Sequence, residues 1–153
     1  MSVNSNVDVI NIMEIIERVE NFAREYDLFK AHDKLLIACS GGPDSMALVD
    51  IFQKLSVKYK LEIIVAHAEH GIRKESSLND AWYVKNYCEQ KNISFFMEHL
   101  NVLEHLKTEK LSVETLARKL RYQFLRKIAK AQNATKIVTA HHLNDQAETV
   151  LQH

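Results

Sequence analysis

The stretch that most constrains this chain runs Lys34-Leu35-Leu36-Ile37-Ala38-Cys39, then Ser40-Gly41-Gly42-Pro43-Asp44-Ser45, then Met46-Ala47-Leu48-Val49-Asp50-Ile51-Phe52. An apolar run, a turn of small residues and an amphipathic segment, in that order, predict a buried strand feeding directly into a helix. Gly41 and Gly42 carry no Cβ and reach backbone angles closed to other residues, so a ligand can lie against the main chain. Pro43 has a φ preset for a first helical turn, where its missing N–H costs nothing. The unpaired N–H groups of such a helix start, with the positive end of its dipole, form a site for a phosphate. Ser40 and Ser45 add hydroxyls. Asp44 is a carboxylate where an anion should bind, which a divalent cation bridging it to phosphate would explain. The plainer reading of the same residues is a helix cap supplied by Asp44 or Ser45. Neither a Gly-Lys-Ser/Thr loop nor a Gly-x-Gly-x-x-Gly fingerprint occurs here.

The rest of the chain bounds the setting. Its 153 residues are one domain's worth, 46% hydrophobic and 26% charged, an ordinary globular composition. Lys and Arg total 20, as do Asp and Glu, so any contact with nucleic acid must come from a local patch. Two cysteines, Cys39 and Cys88, without a Cys-x-x-C, argue against a disulfide framework or cysteine metal site and fit a reducing cytosol. No long apolar span is present, so membrane insertion and export are not expected and a cytoplasmic location is.

In chain order, Ile12, Ile15, Ile16, Val19, Phe22, Ala23 and Tyr26 fall at helical spacing, predicting an N-terminal helix within residues 1–30 ahead of a domain over 31–153. Leu61–Ala66 reads as a second buried strand running into His67-Ala68-Glu69-His70-Gly71-Ile72-Arg73. Residues just past a strand's carboxyl end line the ligand crevice of an open α/β sheet. His67 and His70 lack the further ligands that zinc needs. Leu78, Ala81, Trp82, Val84 and Cys88 form a helical stripe, with Trp82 read as packing, and Ile93–Glu98 reads as a third strand. Residues 99–111 read as a loop with a short turn. Ser112 caps a long helix with Val113, Leu116, Ala117, Leu120, Phe124 and Ile128 inward. On it, Arg118 and Arg121 share a face, and on spacing alone Arg118 pairs with Glu114 at the surface. Thr135–Ala140 is the fourth strand, leading into His141, His142 and Asp145. A carboxylate and imidazole there could share a metal or polarise a proton transfer, or Asp145 could simply serve a helix dipole. Strands alternating with helices predict an α/β fold: a Rossmann-like, doubly wound parallel sheet with right-handed crossovers.

Ser-Gly-Gly-Pro-Asp-Ser resembles the SGGxDS loop of the PP-loop ATP pyrophosphatases, which cleave ATP between the α- and β-phosphates. Three further blocks resemble one branch of that family, the bacterial tRNA(Ile)-lysidine synthetases. His67-x-x-His70-Gly-Ile-Arg is similar to its HxNHGLR block, Glu114-x-x-Ala-Arg118-x-x-Arg121-Tyr122 to a block in its long helix, and Ala140-His-His-x-x-Asp145-Gln-Ala-Glu-Thr to its AHHxDDQAET block. Glu69 stands where the family has a small polar residue, and Asn144 replaces the first Asp of the Asp-Asp pair. The resemblance implies an ATP- and Mg²⁺-dependent ligase. It would adenylate O2 of the first anticodon cytidine of a CAU-anticodon tRNA(Ile), release pyrophosphate, then join L-lysine through its ε-amine and release AMP. It further implies that Ser40, Gly41, Gly42, Pro43, Asp44 and Ser45 cradle the nucleotide and that the backbone near His67 touches the adenosine. Asp44 and Asp145 would hold Mg²⁺, Arg118 or Arg121 would meet phosphate charge, and His141 or His142 would orient or relay a proton. The family continues beyond these motifs into tRNA-binding domains, and Leu151-Gln152-His153 read as the middle of a helix. The expectation is therefore an N-terminal portion that binds nucleotide better than it performs the full reaction. Rival readings are a tRNA 2-thiolase, an amide-forming nucleotide synthetase, or a non-catalytic ATP-binding module.

Overall fold

The computed structural model describes residues 5–71, 74–140 and 151–152, with side chains over 13–71 and 79–140. The order is α1 (Ser5–Glu25), β1 (Lys34–Ala38), α2 (Pro43–Tyr59), β2 (Glu62–Glu69), α3 (Lys74–Gln90), β3 (Ser94–His99), α4 (Val102–His105), α5 (Val113–Ala131), β4 (Lys136–Thr139) and β5 (Leu151–Gln152). The strands form one sheet in the order β3-β2-β1-β4-β5. β3, β2, β1 and β4 are mutually parallel, as the alternation of strand and helix requires. β5 pairs antiparallel with β4, Ile137 opposite Gln152 and Val138 opposite Leu151, so the helix expected through Leu151 and Gln152 is corrected to a short strand. Backbone groups on the open edge of β4 favour that pairing.

β1 is central and buried on both faces, and alternate residues of it enter two different cores. Leu35 and Ile37 pack with Leu48, Phe52, Leu55, Val84 and Cys88 from α2 and α3. Leu36 packs with Leu116, Phe124, Leu125 and Ala129 of α5 on the other face. That division is the doubly wound arrangement, and it follows from the two-residue period of a strand covered on both sides. α1 lies on the α2 face with Ile16, Val19, Phe22 and Ala23 inward, while Ile15 and Tyr26 are exposed. Glu20 ties it down by accepting hydrogen bonds from Lys58 and from Tyr59 Oη (2.7 Å).

Several sequence expectations shift. β2 runs three residues past Ala66 because His67, Ala68 and Glu69 stay in register with Met97, Glu98 and His99 of β3. Trp82 is 60% exposed, with Lys85 over its ring, whereas Ala81, Val84 and Cys88 are buried. Trp82 lies one residue round the helix from Ala81, which turns it about 100° away from that stripe. Val113 is exposed as well. Ser112 does cap α5, its Oγ accepting from Thr115 N at 3.2 Å.

Candidate functional site

From β1 the chain passes to β2 and β3 on one side, then crosses back to place β4 on the other side of β1. Strand order reverses at that point, and the crevice beyond the carboxyl ends of β1 and β4 is where such sheets hold ligands. A cavity of about 260 Å³ opens there. Its floor is small because Ala38, Ala66, Ala68 and Ala140 occupy the strand ends, and Ser40, Gly42, Pro43, Asp44 and Ser45 form one wall.

The wall is held by its own hydrogen bonds. Ser45 is buried; its Oγ accepts from Ser40 N (3.1 Å), lies 3.1 Å from Ser40 Oγ and donates to the Gly42 carbonyl at 3.1 Å. That hydroxyl braces the turn across its ends. Gly41 has φ +90°, and a Cβ built on it would stand 3.0 Å from Asp80 Cβ, so glycine is needed there for both conformation and room. Gly42 has an ordinary φ of −75° and caps α2, with no side chain closing the cap. The capping role read for Asp44 or Ser45 is therefore corrected. The first intrahelical bond is Met46 N to Gly42 O (3.0 Å), and Pro43 has no N–H, which leaves the Asp44 and Ser45 N–H groups without helical acceptors. Those two donors and the helix dipole give the wall the chemistry that suits an anion. Asp44 is exposed at the cavity and is the one carboxylate lining it among the described residues. No group of three or more His, Cys, Asp or Glu residues forms a metal cage among the described residues.

Two side chains enter the cavity from other elements. His70 follows β2 in phase with Ala66 and Ala68, and Arg121 comes from α5. His70 Nδ1 and Arg121 Nε are buried with no hydrogen-bond partner. Burial lowers the His70 pKa from its ordinary 6.5, and the Arg121 cation lowers it further, so its imidazole is neutral at neutral pH. Sequence reading passed over His70 in favour of His67; a strand carried on to Glu69 with its two-residue alternation would have found it. The side chain of His67 is buried elsewhere: its Nδ1 donates to the Cys39 carbonyl at 2.7 Å, tying β2 to the end of β1. A carbonyl only accepts, so the proton sits on Nδ1.

Arg118 and Arg121 separate. Arg121 is half-buried in the cavity wall, while Arg118 is exposed outside it, 5.7 Å from the Tyr122 ring centroid. The expected Glu114–Arg118 pair is not formed. His141, His142 and Asp145, with Ile72 and Arg73, lie outside the described residues. Cys39 also reaches the cavity, but burial raises its thiol pKa and its Sγ lies 3.6 Å from Ser45 Oγ. Cys88 is buried too, its thiol pushed up to about 12. Neither is a ready thiolate.

Among curated relatives, the chain is 41% identical over 140 residues to the tRNA(Ile)-lysidine synthase of Thermosipho africanus, covering 92% of this chain and 33% of that protein. It is 39% identical over 137 residues to the tRNA(Ile)-lysidine synthase of Clostridium tetani, covering 90% and 29%. The chain thus spans about a third of the length of these relatives. Among solved structures, a U34-tRNA thiolase of Methanococcus maripaludis with its [4Fe-4S] cluster superposes with a TM-score of 0.71 at 17% identity, over 88% of this chain and 47% of the other. An NH3-dependent NAD synthetase of Campylobacter jejuni gives 0.61 at 16%, over 83% and 55%. At such identities the superpositions speak for the fold. A family model described as "PP-loop domain" matches residues 11–153. With the sheet order, the glycine turn and the cavity at the point of strand reversal, this chain belongs to the PP-loop domain family.

Proposed function

We propose that this chain is the ATP-binding portion of a tRNA(Ile)-lysidine synthase, with residues 1–30 as an N-terminal helix and 31–153 as the nucleotide domain. The observation that carries the reading is the pair of unpartnered buried nitrogens, His70 Nδ1 and Arg121 Nε, in the cavity beside the glycine turn. Buried polar atoms without partners cost stability unless a ligand completes them. The identity to lysidine synthases supports the choice of ligand.

The residues present fit a nucleoside triphosphate. The Asp44 and Ser45 N–H groups and the α2 dipole suit phosphate oxygens, the alanine floor leaves room, and Arg121 suits negative charge. A magnesium ion also fits, because it is commonly held by one or two carboxylates plus phosphates and water. Asp44 would supply one carboxylate and Asp145 the other. Bound there, the metal would neutralise charge developing on the phosphates.

In this reading, O2 of the first anticodon cytidine of a CAU-anticodon tRNA(Ile) attacks the α-phosphorus of ATP. The P–O bond to pyrophosphate breaks. Water-excluded donors aimed at the developing charge contribute most of such a barrier reduction, and Arg121 and the turn N–H groups are this chain's donors. The ε-amine of L-lysine then displaces AMP from C2, giving lysidine. His70, neutral beside Arg121, accepts or donates a hydrogen bond without adding charge, and His141 or His142 orients a group or relays a proton. The work is cytoplasmic. No described helix is long and apolar enough to cross a membrane.

Calorimetric titration with ATP and Mg²⁺, beside Asp44→Ala and with GTP as a second ligand, tests the site. Metal-dependent ATP binding that weakens in the variant supports the reading. A folded chain that binds no nucleotide overturns it. Lysine- and tRNA-dependent AMP release in a longer chain then separates a lysidine synthase from a thiolase, an NAD-synthetase-like enzyme or a binding module. The buried, protonated thiols of Cys39 and Cys88 already weigh against a thiolase.

A further inference from the structure

Arg118, Tyr122 and Arg126 follow one another at four-residue spacing on α5 and form one stripe along it. The guanidinium carbons of Arg118, Arg121 and Arg126 stand 5.7, 5.2 and 5.9 Å from the centroid of the Tyr122 ring. Arg118 and Arg126 are exposed, and Arg121 turns into the cavity. Among the described residues no carboxylate is paired with any of the three. Their neighbours differ: Lys119 is tied to Glu109 (3.2 Å) and Lys127 to Glu98 (2.7 Å). α5 has Glu114 as its one acid against six Lys and Arg, in a chain whose net charge is zero. The basic charge is therefore local: of the three unpaired arginines Arg121 lines the cavity, while Arg118 and Arg126 line a separate surface hollow with Tyr122.

Three cations round one ring repel one another, and the ring quadrupole offsets only part of that cost. What the ring adds is proximity. It gives the three guanidiniums one shared neighbour within 6 Å, and a guanidinium plane can stack on a nucleobase or grip a phosphate through two parallel N–H groups. A lysine patch would offer charge without the planes. From Arg118 to Arg126 the helix rises about 12 Å, room for a few nucleotides of extended strand.

We infer that the Arg118–Tyr122–Arg126 stripe is the landing surface for a single-stranded RNA segment, which leads a base inward past Arg121 to the cavity. The inference rests on the reading that the second substrate is an RNA. Single-stranded RNA is recognised by bases stacked on aromatic rings and arginine planes, with basic side chains on the backbone. An acidic peptide would meet the charge and leave the planes unused.

The test is fluorescence anisotropy of this chain with a short unpaired RNA containing C-A-U, over a salt series, with ATP titrated separately. Three guanidinium contacts predict a slope of log affinity against log salt of about −2. Arg126→Ala should weaken RNA binding several-fold and reduce the slope by about 0.7, while ATP binding stays as it was. Tyr122→Leu should weaken RNA binding although it removes no charge. Lys107→Ala, an exposed charge off the stripe, serves as the control. RNA binding that is absent at the lowest salt, or equal in Arg126→Ala and Lys107→Ala, overturns the stripe. So does a glutamate-rich peptide of equal charge that displaces RNA one for one. ATP bound without RNA would remove the stripe and leave the nucleotide site standing; RNA bound without ATP would do the reverse.

Discussion

His70 Nδ1, just past β2, and Arg121 Nε, on α5, are buried at the same cavity, and neither has a hydrogen-bond partner. The two elements belong to different parts of the chain and meet only because α5 crosses the face of the sheet that carries Ala66 and Ala68. A protein that left both unsatisfied for no purpose would give up about 1–3 kcal/mol per group.

Arg121→Ala should weaken ATP binding more than Arg118→Ala does. Roughly ten- to hundredfold is expected for Arg121, since charge-assisted hydrogen bonds are worth about 1.5–3 kcal/mol. Calorimetry on both variants decides it. A larger loss at Arg118 would put the cavity's cation on the wrong residue.

His70 should imprint a pH dependence on stability. Its folded pKa lies below the ordinary 6.5, chiefly through burial and then through Arg121. The unfolded chain therefore takes up a proton first as pH falls. Stability contributed by the neutral imidazole is present above about pH 6.5 and is lost as pH drops towards the folded value. Urea midpoints measured at pH 7.5 and 5.5 should fall less in His70→Asn than in the parent. An equal fall in both would remove His70 as the source.

Gly41 and Gly42 should respond differently to alanine. At Gly41 the positive φ and the 3.0 Å approach to Asp80 Cβ make Gly41→Ala destabilising by about 1–3 kcal/mol. At Gly42 φ is −75° and the nearest atom to a new Cβ is Ser40 Oγ at 3.6 Å, so Gly42→Ala should fold with near-parent stability. If phosphate lies against that main chain, the added methyl should weaken ATP binding. Denaturation and titration of the pair separate the two uses of glycine.

Ser45→Ala should cost about 1–2 kcal/mol. It removes the hydroxyl that joins Ser40 N to the Gly42 carbonyl and leaves the part-buried Ser40 N–H without that acceptor. ATP affinity should fall with it, because the turn loses its brace; Ser45→Thr, which keeps the hydroxyl, should recover part of both. Unchanged stability in Ser45→Ala would show that the brace carries no weight.

Asp44→Asn should lower ATP affinity in the presence of Mg²⁺ and change it little without metal, since the carboxylate is proposed to act through the ion. Titrations with and without a chelator check this. Equal loss under both conditions would give Asp44 some other role.

Much of this was legible in the sequence because it is local. A strand, a glycine turn and a helix beginning at Pro43 follow from steric freedom and hydrogen-bond supply within a dozen residues. Ser112 as a cap and the buried stripe of Leu116 and Phe124 follow from helix geometry alone. The parallel sheet follows from the alternation of elements. Composition also said correctly that any strong charge must be confined to a patch.

The tertiary structure decided what periodicity leaves open. Residues 118 and 121 differ by about 60° round a helix, so the position of the sheet beneath α5 chooses which guanidinium faces the cavity. His67 and His70 lie on opposite faces of one strand and its extension, but where β2 stops depends on Met97, Glu98 and His99 pairing from β3. The positive φ of Gly41 excludes a Cβ on its own, but the lack of room there comes from Asp80, which arrives from α3. The sequence by itself determined the parallel strands, the long helices between them and where the glycine turn falls, because backbone sterics and hydrophobic period act over short range. Which side chains share the cavity was decided by packing between elements distant in the chain, and no local rule carries that information.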